Sequence, residues 1–222
     1  MFSTWADARE LRRLSDASRL VVVAHPDDET FWAGLTLAGN GGWAVVCLTH
    51  RSNPSRRKRF RAAVAALGCR GALLDLPDRH WDALSSAEHH QMELMIDRIL
   101  DRPGITDVMT HSPDGETGHP YHKLINSLVA SRVPSGVTLH YFNFDSHFDG
   151  PRDDGALWAR KQAALDAYFG VPNDPPGNDG LHIRLSRHER AALASDYRRQ
   201  AALIRSIYAG STVPNADIAD AD

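Results

Sequence analysis

Val21-Val22-Val23-Ala24-His25-Pro26-Asp27-Asp28-Glu29 decides how this chain is read. Three β-branched residues in succession make a short buried strand. Pro26 ends it, because proline has no N–H for a ladder bond and biases His25 towards an extended backbone. An imidazole and three carboxylates then follow within five residues. Adjacent carboxylates at a strand end repel one another and are costly to desolvate, a strain that a nearby cation relieves.

Outwards from that stretch, strand and helix patterns alternate. Strands are expected at 20–24, 43–49, 72–76, 105–110 and 137–142. Helices are expected at 4–16, 30–37, 55–67, 85–101, 119–131 and 157–169. Ser55 reads as a helix cap, Gly68 as that helix's stop, and Met92, Met95, Ile96 and Ile99 as a core-facing stripe. Ser186 with Glu189 three residues on reads as a capping box opening a last helix to about Tyr208. The pattern implies an α/β fold: a single-domain, doubly wound, mostly parallel, Rossmann-like sheet with helices on both faces. The domain spans 1–210, with 211–222 a frayed tail. Ligands in such sheets bind beyond the carboxyl ends of the strands, where every polar cluster of this sequence falls.

The bulk numbers exclude several classes. Of the 222 residues, 42% are hydrophobic and 24% charged, ordinary for a globular domain. A formal charge of −3 gives no footprint for nucleic acid or an anionic membrane. No run approaches the ~20 apolar residues of a membrane span, and the N-terminal stretch lacks the apolar segment of a signal peptide. Cys47 and Cys69 form no CxxC pair. The expectation is a cytoplasmic protein without membrane insertion; a homo-oligomer stays open.

A nucleotide-binding fold carries GxGxxG after its first strand. This chain has carboxylates there, which repel a pyrophosphate. A magnesium-dependent aspartyl phosphotransferase prefers Asp-x-Asp at that point, whereas here Asp27 and Asp28 are adjacent. His25 and Asp28, three apart across a turn, can converge on one point. His119 and His122, three apart at a helix start, share a face. The two pairs follow strands one and four. Strands adjacent at the switch point would unite them, and imidazole with carboxylate suits zinc.

Ala24-His25-Pro26-Asp27-Asp28-Glu29, with Gly118-His119-Pro120-Tyr121-His122 later, resembles the LmbE-like (PIG-L) family of zinc-dependent N-deacetylases. That family includes N-acetylglucosaminyl-phosphatidylinositol and mycothiol-pathway deacetylases and enzymes that tailor glycopeptide and aminoglycoside antibiotics. The resemblance implies that His25, Asp28 and His122 bind one Zn²⁺ per chain, with Fe²⁺ or another divalent ion as the alternative. It implies Asp27 as the general base that activates water. His119 is then placed to stabilise the oxyanion or protonate the leaving amine. Glu29 is read as a structural helix-start residue, the alternative being to orient a ligand histidine.

The implied function is removal of an acetyl or similar acyl group from a small-molecule N-acyl amine or glycoside, such as an N-acylated amino sugar. Arg51, Asp78 and Asp145 stand after strands two, three and five as candidate substrate contacts. Two departures from the family pattern matter. Thr117 stands for its usual tyrosine, and Tyr121 for an aspartate that holds a histidine in the right tautomer. They motivate a second reading, a catalytically weakened zinc- and sugar-binding protein of the same fold.

Overall fold

In the computed structural model, which describes residues 4–39, 41–79, 81–116, 118–144, 155–169 and 189–193, the chain opens with α1 (Thr4–Arg12). It then enters β1 (Arg19–Val23), whose Leu20 to Val23 are all fully buried. Each valine buried this way contributes about 1.5–3 kcal/mol, so this short strand anchors the sheet. There follow α2 (Asp28–Gly39), β2 (Trp43–Cys47), α3 (Pro54–Leu67) and β3 (Arg70–Leu73). After a single 3₁₀ turn at Trp81–Ala83 come α4 (Ser86–Leu100), β4 (Asp107–Thr110), α5 (Pro120–Ala130), β5 (Thr138–Phe144) and α6 (Ala156–Phe169). A last strand, β6 (Glu189–Leu193), closes the described chain. No helix among the described residues is long and apolar enough to cross a membrane.

The strand order is β3-β2-β1-β4-β5-β6, with the first five parallel. The chain winds outwards from β1 to β3, then returns to lay β4 on the other side of β1. Val21 therefore pairs with Val45 on one flank and Met109 on the other. The switch point lies between β1 and β4, so the segments leaving these two strands emerge side by side. The five expected strands and the first six of the seven expected helices form, and the fold is the expected doubly wound sheet.

Alternation along the strands divides the core. Leu20, Val22, Ala44, Val46 and Val108 face α1, the turn after it, α4 and α5 through Leu11, Leu14, Met92, Ile96, Ile99 and Ile125. Val21, Val23, Val45, Cys47 and Met109 face α2, α3 and α6 through Trp32, Leu37, Phe60, Val64 and Leu165. At Gly71, on β3, an added Cβ would come within 2.8 Å of Phe60 Cζ, so the glycine lets α3 lie close to the sheet. The second face is also tied by polar bonds from α6. The Arg160 guanidinium donates to the carbonyls of Ala38, Ala66 and Leu67 at the ends of α2 and α3. The buried Lys161 Nζ donates to the Phe31 carbonyl at 2.9 Å.

Three local expectations need correction or restriction. Asn53, not Ser55, caps α3: its Oδ1 accepts from the amides of Ser55 and Arg56, with Pro54 in the first turn. Gly68 does end that helix, at φ 73°. The last helix expected from Ser186 does not begin there, because Glu189–Leu193 is a strand, antiparallel to β5. Residues 172–180 and everything after 193, including the domain limit at 210 and the tail, lie outside the described residues.

Candidate metal centre

The chain leaves β1 and begins α2 through a tight turn in which Asp27 has φ 128°. Non-glycine residues rarely enter that region, and holding one there costs about 1–3 kcal/mol. The peptide is gripped from both sides. The Asp27 carbonyl accepts from the amides of Thr30 at 2.8 Å and Phe31 at 2.9 Å. Its own amide donates to Glu29 Oε2 at 3.1 Å. The turn folds Asp28 back, so that Asp28 Oδ2 accepts from the His25 amide at 2.8 Å.

On the far side of the switch point, the loop after β4 brings His122 against this turn. His25 Nδ1, Asp28 Oδ2 and His122 Nε2 form a triangle. His25 Nδ1 to His122 Nε2 is 3.3 Å, His25 Nδ1 to Asp28 Oδ2 is 3.5 Å, and His122 Nε2 to Asp28 Oδ2 is 3.4 Å. Zinc–nitrogen and zinc–oxygen bonds of about 2.0–2.1 Å give tetrahedral edges of about 3.3–3.4 Å. The triangle therefore matches one face of such a tetrahedron.

The proton positions sharpen the fit. His25 Nε2 lies 3.1 Å from Asp78 Oδ1, and His122 Nδ1 lies 2.7 Å from Glu116 Oε2. A carboxylate accepts, so each ring carries its proton on that outer nitrogen. The lone pairs of His25 Nδ1 and His122 Nε2 then face each other beside the Asp28 oxygen. In these neutral tautomers the three inner atoms are all acceptors, an arrangement that one cation could satisfy together. The pocket favours positive charge at this point. Burial opposes charge on His25, yet its hydrogen bonds to Asp28 and Asp78 outweigh that and push its pKa up to about 9. Burial likewise opposes charge on Asp28, but His122 and His111 hold it well below the usual carboxylate range.

Glu116, at φ 52°, supports the ligands from behind. Its Oε2 accepts from His122 Nδ1 and from His111 Nδ1, the latter at 2.9 Å, and its Oε1 accepts from the Ser112 amide at 2.6 Å. His111 Nε2 accepts in turn from the Ala24 amide at 3.0 Å, which pins the end of β1 to the end of β4. A second acid–imidazole group, His111, Glu116 and His122, is thus a hydrogen-bonded support whose inward nitrogens are already engaged. Burial raises the Glu116 carboxyl, but His111 and His122 outweigh that and hold it at about 2.

The remaining candidates fall in different places. Asp27 is half-buried, and among the described residues nothing hydrogen-bonds its carboxylate. Burial and the charges of Asp28 and Glu29 raise its pKa well above the usual value. His119 caps α5, its Nδ1 accepting from the Tyr121 amide at 3.2 Å. Its proton therefore sits on Nε2. Its ring centroid lies 4.5 Å from that of His122 and 5.2 Å from that of His25. Burial and the neighbouring His122 and His25 push its pKa down to about 4.

Asp78 spends both oxygens on histidines, Oδ1 on His25 and Oδ2 on His50 Nε2 at 2.8 Å. Arg51 extends towards Asp75, with 4.0 Å between Nη2 and Oδ2. Glu29, at the start of α2, binds the Asp27 amide and the hydroxyls of Thr30 and Tyr168. Asp145 and Thr117 lie outside the described residues. Tyr121 is buried and donates to the Pro77 carbonyl at 2.5 Å, bracing the loop that carries Asp78. Sequence reasoning missed the roles of Glu116 and His50. A carboxylate three residues before His119, in a glycine-bounded loop, was the available signal for the first.

A family model described as GlcNAc-PI de-N-acetylase, PIG-L, matches residues 20–133, just over half of the chain. A curated relative, the uncharacterized protein L374 of Acanthamoeba polyphaga mimivirus, is 29% identical over 151 residues. The match takes in 61% of this chain and spans 65% of the relative's length. Among solved structures, the A40926 pseudoaglycone deacetylase Dbv21 is similar at a TM-score of 0.53 and 21% identity, over 73% of this chain and 87% of that one. The conserved protein TT1542 of Thermus thermophilus gives 0.52 and 20%, over 76% and 84%. The N,N'-diacetylchitobiose deacetylase of Pyrococcus horikoshii gives 0.50 and 13%, over 89% and 96%. These likenesses share the fold, and the family model spans both motifs, so the chain belongs to the PIG-L family.

Proposed function

We propose that this protein is a zinc-dependent amidohydrolase that removes an acetyl or similar small acyl group from an N-acylated amino sugar or related amine. One observation carries the reading: three potential ligand atoms, His25 Nδ1, Asp28 Oδ2 and His122 Nε2, converge at 3.3–3.5 Å from one another. Two imidazoles and a carboxylate suit zinc, with iron(II) as the alternative. Such an ion supplies Lewis acidity, polarising an amide carbonyl and easing proton loss from water near neutral pH.

The chain's own residues do the rest. Asp27, with an unengaged carboxylate next to a ligand, takes the proton of the attacking water. His119, neutral with its proton on Nε2, donates to the carbonyl oxygen as negative charge develops there. It then helps deliver a proton to the departing amine. Asp78 and Glu116 hold the two ligand rings in the tautomers that leave the inner lone pairs free. Two features speak against a merely binding protein. Glu116 supplies the carboxylate that Tyr121 cannot, and the tautomer of His119 is fixed by the Tyr121 backbone rather than its side chain. The free thiols of Cys47 and Cys69 suit a reducing compartment such as the cytoplasm.

The test combines metal analysis of the purified protein with turnover. Incubation with a panel of N-acetyl amino sugars and a metabolite extract, read by mass spectrometry, should show loss of an acyl mass. Chelation should abolish it and added zinc restore it. Failure to bind zinc, iron(II) or cobalt(II) at micromolar concentration sinks the metal reading; binding without turnover of any amide favours the sugar-binding alternative.

A further inference from the structure

Tyr168 lies near the end of α6, 139 residues from Glu29, yet its hydroxyl donates to Glu29 Oε1 at 2.8 Å. The other oxygen of that carboxylate accepts from the Asp27 amide. Glu29 is fully buried and Tyr168 nearly so. A buried carboxylate needs its acceptor sites supplied, and among the described residues Glu29 has three donors: the Thr30 hydroxyl, the Tyr168 hydroxyl and the Asp27 amide. Two come from its own turn, and among the described residues Tyr168 alone reaches in from another element. The backbone that this carboxylate grips is the one at φ 128°. A residue in that region persists only where its surroundings over-determine it.

From this chain of bonds we propose that Tyr168 is a positioning residue for Asp27, acting through Glu29. Resting on the amidohydrolase reading, it deepens that reading by naming what aims the base. The hydroxyl fixes Glu29 Oε1, the rigid carboxylate presents Oε2 to the Asp27 amide, and the amide holds the turn in its unusual conformation. Without the hydroxyl, Glu29 is under-supplied and free to rotate, and the Asp27 backbone relaxes to a common conformation. The base then leaves its line of approach. The triangle is built from different contacts: the His25 amide on Asp28, Asp78 on His25 and Glu116 on His122. These bonds still hold Asp28 and the two rings, so cation affinity changes far less than turnover.

The experiment uses Tyr168→Phe, which keeps the ring packed beside Phe169 and removes only the hydroxyl. On whichever amide the wild type hydrolyses, kcat should fall on the order of 10–100-fold. KM and zinc affinity, the latter by competition with a chromophoric chelator, should stay within about twofold. In an Asp27→Asn background the same change should leave the residual rate unaltered, since the group it aims has gone. Unchanged kcat, or an equal fall in both backgrounds, overturns the proposal.

A crystal structure of Tyr168→Phe gives a readout independent of activity. Asp27 leaving positive φ supports the relay even if no amide is turned over, in which case the amidohydrolase reading alone fails. Asp27 unmoved overturns it. Should Tyr168→Phe not yield folded protein, Glu29→Gln tests the same link. The amide cannot accept at both ends, so the same pattern is expected and the same outcomes decide.

Discussion

Glu116 Oε2 stands 2.7 Å from His122 Nδ1, on the side of the imidazole opposite the ligand triangle. The bond aims the ring and makes its inner nitrogen more basic, so under the proposed function a loss here would be felt by a cation held at the triangle. Glu116→Gln should weaken zinc binding by on the order of 10–100-fold, measured by competition with a chelator. Unchanged affinity would show that packing alone orients His122.

In the proposed reaction Asp27 acts on water without belonging to the triangle. Asp27→Asn should retain stoichiometric zinc while turnover drops about 10²–10⁴-fold. Metal content and rate are read on the same preparation. A variant that hydrolyses amides at the wild-type rate removes Asp27 from the base role.

Asp78 separates two roles that predict different kinetics. As a support for His25, its change to Asn should weaken zinc binding about tenfold or more. As a contact to sugar hydroxyls, the same change would raise KM and leave zinc affinity alone. The two histidines that occupy its oxygens favour the first outcome.

Gly71 tests the packing of α3 on the sheet. A methyl group there meets Phe60 and Val64 at 2.8–3.1 Å. Gly71→Ala should lower stability by about 1–3 kcal/mol through overpacking. Urea unfolding should show a lower midpoint with an unchanged slope.

Much of the fold was legible because its signals are local and strong. The valine run of β1, the methionine and isoleucine stripe of α4, and Gly68 after α3 each act through near neighbours. The triangle was legible because two short motifs follow strands one and four, and the switch-point rule joins them. What stayed hidden is non-local. Nothing near Asp78 in sequence shows that His25 and His50 occupy its oxygens, and nothing near Tyr168 shows that it meets Glu29. β6 was misread because Ser186 and Glu189 carry a helix-start spacing, whereas partner β5 supplies the ladder that decides for a strand. The cap of α3 was misplaced by two residues, since Asn53 and Ser55 both suit that position and Pro54 between them settles it.

One guanidinium, that of Arg160, terminates two separate helices. It neutralises the exposed carbonyl ends of α2 and α3 simultaneously, where helix dipoles are negative. Neither helix can fray at its C-terminus without releasing the donor that also closes the other. That half of the molecule should therefore open as one cooperative unit. Hydrogen–deuterium exchange should find the last-turn amides of α2 and α3 protected to a common degree, and Arg160→Ala should uncouple them.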